Sequence, residues 1–95
     1  MLNERIKGLR QSYGMSQVEL ARHLGVSKQC VSNWENDNVL PSVDMLVQIA
    51  KYFRVTCDYL MGLENIQRID ISGLTEDEIA HIKLLINDLT KSHKE

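Results

Sequence analysis

The stretch from Gln17 to Asn36, QVELARHLGVSKQCVSNWEN, constrains this chain more than any other. It holds two short helical patterns on either side of a glycine. Leu20, Leu24, Val26, Val31 and Trp34 are its apolar positions. Ala21 stands where two helices must approach closely, and Gly25 where the backbone must turn through positive φ. The spacing predicts two helices crossing steeply through a three- or four-residue turn. With their apolar sides given to a core, the second helix keeps a polar face of Ser27, Lys28, Gln29, Ser32 and Asn33. Short hydrogen-bonding side chains on an exposed helix suit the base edges and phosphates of DNA.

The flanking segments supply that core. Leu2, Ile6, Leu9 and Tyr13 form one stripe of an amphipathic helix that Gly14 ends. Ser16 and Glu19 have the spacing of a capping box, Gly25 closes the second helix, and Ser27 caps a third that runs from Lys28 to about Asn36. Asn36-Asp37-Asn38 favours a turn. Ser42 caps a fourth helix, with Asp44 in its positive first turn. Val43, Leu46, Val47, Ile49, Ala50 and Phe53 cover more than half its circumference, which predicts a central, well-buried helix. Thr56 caps a short fifth helix ended by Gly62. The fold class expected is all-α: a compact five-helix unit over residues 1–62, a connector over 63–73, and an amphipathic helix over 74–93. In the connector, RIDIS alternates but is too short to establish a strand. The last helix opens with a capping box at Thr75 and Glu78 and carries Ile79, Ile82, Ile86 and Leu89 at 3-4-3 spacing, with Leu85 widening the stripe.

Composition narrows the classes. The apolar fraction of 43% and charged fraction of 25% suit an ordinary folded chain. No apolar run is long enough to span a membrane, and MLNERIKGLR carries charge where a signal peptide needs an apolar segment, so a cytoplasmic location is expected. The net charge of −2 sits uneasily with a nucleic-acid target. It divides unevenly: residues 1–61 hold seven Lys/Arg against six Asp/Glu, and residues 62–95 hold four against seven. The acid excess thus lies outside the candidate DNA-binding part. Cys30 and Cys57 match no metal-ligand spacing and read as free thiols, and no pair of histidines is spaced for a metal, so neither metal nor cofactor is expected.

Several motifs in order resemble the XRE family, the helix-turn-helix domains of lambda-repressor and Cro-type regulators. They are Ile6-Lys7-x-Leu9-Arg10, the MSQxELA run from Met15 to Ala21, Gly25-Val26-Ser27, the VSxWE run from Val31 to Glu35, Pro41-Ser42, and the DYLxG ending from Asp58 to Gly62. The resemblance covers residues 2–62. It implies that the third helix enters the major groove, with Lys28, Gln29, Ser32 and Asn33 reading bases. Gln29 suits adenine and Lys28 guanine. Gln17, Ser27, Asn36 and Asn38 are expected to contact phosphates. Arg10 is expected to pair with Glu35 and also face the DNA backbone. Asp37 departs from the glycine or basic residue common near that loop.

The stripe Ile79, Ile82, Leu85, Ile86, Leu89 is expected to pair with a second copy, since a helix of a few turns is not stable alone. Docking on its own domain and binding a different protein are the alternatives. The leading function is a homodimeric transcriptional regulator, a repressor by resemblance, that binds double-stranded operator DNA. The second is an antitoxin or anti-repressor that binds another protein through the last helix and uses DNA binding for autoregulation. A third is a redox response through Cys30, which is otherwise expected to be a small semi-buried filler. No nucleophile-base pair, phosphate loop or metal cluster points to an enzyme.

Overall fold

The computed structural model describes residues 1–94 and is all-helical among them. The helices are α1 (Leu2–Ser12), α2 (Gln17–Leu24), α3 (Lys28–Glu35), α4 (Val43–Phe53), α5 (Cys57–Leu60) and α6 (Glu76–Lys94). Local chemistry starts most of them. Ser16, Ser27, Ser42 and Thr56 each accept a hydrogen bond from the backbone N–H three residues on, which satisfies one of the free donors of a helix start. At α2 the box closes in both directions, because Glu19 also accepts from the Ser16 N–H at 3.0 Å. Thr75 and Glu78 make the same reciprocal pair before α6, at 2.9 and 3.1 Å.

The core gathers Ile6, Leu9, Leu20, Leu24, Val31, Trp34, Ile49, Phe53, Val55 and Leu60, with Ala21 and Ala50 where backbones come close. All lie in α1–α5 or the turn after α4. At their ends, α1 and α4 are joined by an aromatic corner. Tyr13 meets Phe53 edge-on at 4.9 Å, and its hydroxyl donates to the Phe53 carbonyl at 3.2 Å. Only part of α4 is interior. Ile49, Ala50 and Phe53 are buried, but Val43 is 76% exposed and Val47 is also at the surface. The expectation of a helix buried over more than half its circumference is therefore corrected. α4 gives only one side to the core, and Val39 and Leu40 just before it are exposed as well.

Arg5 fixes how the chain leaves this core. Its guanidinium donates to the carbonyls of Tyr59 and Glu64 at 2.7 and 2.8 Å and stacks 4.0 Å over the Tyr59 ring. The connector that follows forms no strand. Asp70 accepts from the Ser72 N–H and hydroxyl, and Gly73 at φ 87° turns the chain into α6, ending the alternation of RIDIS. Among the described residues no hydrogen bond or ion pair joins α6 to α1–α5, and the radius of gyration of 15.3 Å exceeds the roughly 12 Å of a compact chain this long.

Candidate nucleic-acid interface

The angle between α2 and α3 is set by Gly25. At φ 72° and ψ 30° it takes the left-handed conformation, and the chain caps α2 through bonds to the Ala21 and Arg22 carbonyls. Val31, Trp34 and Glu35 point inward from α3. With 3.6 residues per turn, Gln29, Ser32, Asn33 and Asn36 then face outward. Two side-chain pairs run along this face. Gln29 Nε2 donates to Asn33 Oδ1 at 3.0 Å, and Asn36 Nδ2 donates to Ser32 Oγ at 3.2 Å. Each pair restrains two rotamers and leaves the Gln29 carbonyl oxygen, the Asn33 amide nitrogen and lone pairs of the hydroxyl for a ligand. Lys28 is exposed at the helix start.

Beneath α3 lies an ion pair that ties three helices together. Glu35 is the buried acid of the core, 6% exposed. Arg10 on α1 grips it with two bonds, Nε to Oε2 at 2.6 Å and Nη2 to Oε1 at 3.0 Å, and donates a third to the Met15 carbonyl at 2.7 Å. Gln17 Nε2 on α2 adds a bond to Oε1 at 3.1 Å. The hydrogen bond and charge of Glu35 raise the Arg10 pKa against the opposing effect of burial. Arg10 is therefore an internal support. Its side chain is only 11% exposed, and three of its five N–H donors are used inside the protein. The Gln17 side chain is likewise turned toward Glu35. The backbone N–H groups of the first turn of α2 remain as its anion-binding feature.

The remaining residues named from sequence fall at the margins. Ser27 is occupied as the α3 cap, with its oxygen accepting from the Cys30 N–H at 3.2 Å. Asn36 and Asn38 are exposed in the turn after α3, where the Asn38 N–H bonds the Asn33 carbonyl at 2.9 Å. Asp37 between them has φ 59°, a conformation that glycine adopts at lower cost. Cys30 is exposed, not semi-buried, because its position turns it away from Val31 and Trp34, and its sulfur accepts a bond from Ser27 Oγ at 3.4 Å. Among the described residues no three His, Cys, Asp or Glu side chains gather as a metal site.

On α6, Ile79 is half-buried, while Ile82, Leu85, Ile86 and Leu89 are 39, 58, 54 and 54% exposed. Sequence reasoning missed what covers one flank of this stripe. Ile69 and Ile71 of the connector stand opposite Ile79, Ile82 and Ile86 across an open apolar groove of about 350 Å³, with Gln67 and Lys83 at its edges. The alternation of RIDIS was the signal for it. No helix is long and apolar enough to cross a membrane among the described residues.

Comparison with known proteins gives this arrangement a family. Residues 6–60 match the family model described as helix-turn-helix. The HTH-type transcriptional regulator ImmR of Bacillus subtilis strain 168 is 33% identical over 78 residues, covering 82% of this chain and 61% of ImmR. The chain spans less than two thirds of this and of the next curated relatives, at 31% and 56% of their lengths. Among solved structures, the c2 repressor of phage P22 in complex with a synthetic operator superposes with a TM-score of 0.61 and 30% identity, over 63% of this chain and 91% of that one. A SinR–SinI protein complex aligns over 97% of this chain and 99% of that one, with a TM-score of 0.61 and 26% identity. With its closely packed second and third helices, its left-handed Gly25 turn and a family match over residues 6–60, the chain belongs to the helix-turn-helix family of lambda-repressor-like domains.

Proposed function

We propose that this protein is a sequence-specific regulator of transcription that binds double-stranded operator DNA in the cytoplasm, acts as a repressor, and works as a homodimer. The observation that carries the reading is the outward face of α3, where Gln29, Ser32, Asn33 and Asn36 are held in two hydrogen-bonded pairs over the buried Glu35. Side chains fixed in this way lose little conformational freedom when they meet base edges. In the proposed complex Gln29 and Lys28 read bases, Ser32 and Asn33 extend the readout, and Ser27, Asn36, Asn38 and the amides at Gln17 contact phosphate. The domain is residues 1–62 and α6 supplies the dimer contact. Two reading helices about 34 Å apart match half-sites one helical turn apart. The repressor role is brought over from the P22 c2 repressor, whose complex is with a synthetic operator.

Selection and sequencing of genomic fragments bound by the purified protein tests this. The expected result is a shared inverted repeat with half-sites separated by about 10–11 base pairs. No enrichment over bulk DNA overturns it. The exposed stripe on α6 favours a second reading, in which another protein occupies that helix and DNA binding is autoregulatory. That reading requires a protein that is monomeric by itself and becomes a stable complex with its partner.

A further inference from the structure

We propose that α6 pairs in antiparallel orientation with α6 of a second copy, in the register that sets Ile79 against the partner's Leu89 and Ile82 against the partner's Ile86. This deepens the homodimer reading above and rests on it. The spacing Ile79, Ile82, Ile86, Leu89 is 3-4-3 and reads the same in either direction. A two-fold axis at the level of Leu84 therefore brings apolar residues together in every layer, as a self-complementary interface requires. Charge selects the same direction. Glu76, Asp77 and Glu78 occupy the first turn, whereas Lys91 and His93 lie near the other end. Antiparallel pairing sets the acidic end of each helix beside the basic end of its partner and opposes the two helix dipoles, while parallel pairing stacks three acids on three.

The groove explains why the seam is still open. Ile69 and Ile71 stand along one side of it and are themselves 63 and 41% exposed, so the connector walls the site without filling it. The partner's helix lies in this groove, against Ile79, Ile82 and Ile86 and beside the connector. Each copy offers the same groove and the same helix. The two sites close on each other, which makes the pairing at this seam self-limiting.

Directional cross-linking tests the register. Two chains, each also carrying Cys30→Ser and Cys57→Ser, are prepared with Ile79→Cys or Leu89→Cys and with tags of different size. They are mixed under reducing conditions, checked for helix content, and oxidised with glutathione disulfide. Antiparallel pairing places 79 opposite the partner's 89 and holds 79 and its own copy about 15 Å apart along the axis, beyond the roughly 7 Å that a disulfide spans. The mixed product is expected to exceed both same-residue products by about tenfold or more. Same-residue disulfides in excess overturn the orientation. Sedimentation of the unsubstituted protein separates the remaining outcomes. A dimer whose variants give no cross-link moves the interface to another surface, such as the exposed Leu40 and Val43, and overturns this pairing but not the homodimer. A monomer that binds operator DNA overturns both.

Discussion

Replacing Arg10 by Met should be among the most damaging single changes in this protein, although Arg10 is a charged residue on an amphipathic helix. The substitution keeps much of the side-chain bulk but strips Glu35 of its two charge-assisted hydrogen bonds and leaves Gln17 as the remaining side-chain donor to the carboxylate. The Glu35 side chain is 2% exposed, so water cannot replace the lost bonds without opening the α1–α3 contact. Breaking a buried pair from one side costs about 3–5 kcal/mol. A chain this long has a total stability of roughly 5–14 kcal/mol, so the variant loses about a fifth of it or more. The single tryptophan, Trp34, is buried one residue before Glu35, and its fluorescence reports unfolding in urea. The midpoint should fall by about 2 M or more for a urea dependence of about 1.5 kcal/mol per molar. Arg10→Met combined with Glu35→Leu should recover most of the loss, because an apolar pair of similar volume removes the stranded charge. A single variant that loses less than about 1 kcal/mol would place the pair in the class of surface ion pairs, and the reasoning fails. A double variant no more stable than Arg10→Met refutes it as well.

Four further outcomes can be checked. Ile82→Asp should shift the protein towards monomer by about 2–4 kcal/mol in sedimentation equilibrium, from lost apolar burial in two copies and two carboxylates placed in the seam; an unchanged dimer removes α6 from the interface. Gln29→Ala should cost about 1–3 kcal/mol at one or two base pairs of each half-site, and an equal loss on random DNA places Gln29 on the backbone. Asp37→Gly should stabilise the fold by roughly 0.5–1 kcal/mol through relief at φ 59° and should strengthen DNA binding by removing an acid beside Asn36 and Asn38; loss of stability in urea refutes the strain argument. The Ser16 N–H and hydroxyl lower the Glu19 pKa, so its contribution to α2 is present above the ordinary carboxylate range and is lost as pH falls through its lowered value. Glu19→Gln should therefore lose stability less steeply than the unsubstituted protein on acidification, and parallel acid limbs contradict the cap assignment.

The features legible in the sequence are those whose causes lie within a few residues. Ser16, Ser27, Ser42 and Thr56 cap helices through donors three positions away, and Gly25 supplies its own turn, so helix starts and the α2–α3 crossing could be read directly. The core of α1–α3 followed from periodicity, because each of those helices buries a single stripe. On α4 the same reasoning overreached. Val43 and Val47 are as apolar as Ile49, and only the neighbouring elements determine which of them is covered. The pairing of Arg10 with Glu35 followed from the resemblance, whereas its bond to the Met15 carbonyl had no signature in the linear pattern. Arg54, left-handed at φ 56°, and the Arg5 contacts with Tyr59 and Glu64 had no local signature at all.

Those Arg5 contacts have a mechanical consequence. By gripping the chain at Tyr59 and Glu64, Arg5 makes residue 64 a fixed exit point, and beyond it the connector is held to the domain only at single points, by Asn65 to Arg5, Gln67 to Tyr59 and Asp70 to Arg54. Residues 65–74 can pay out no more than about 35 Å even when drawn straight. In the proposed dimer that leash acts as a ruler. It sets an upper bound on how far apart the two half-sites can stand, whereas loss of the grip lengthens the leash at its root and raises that bound.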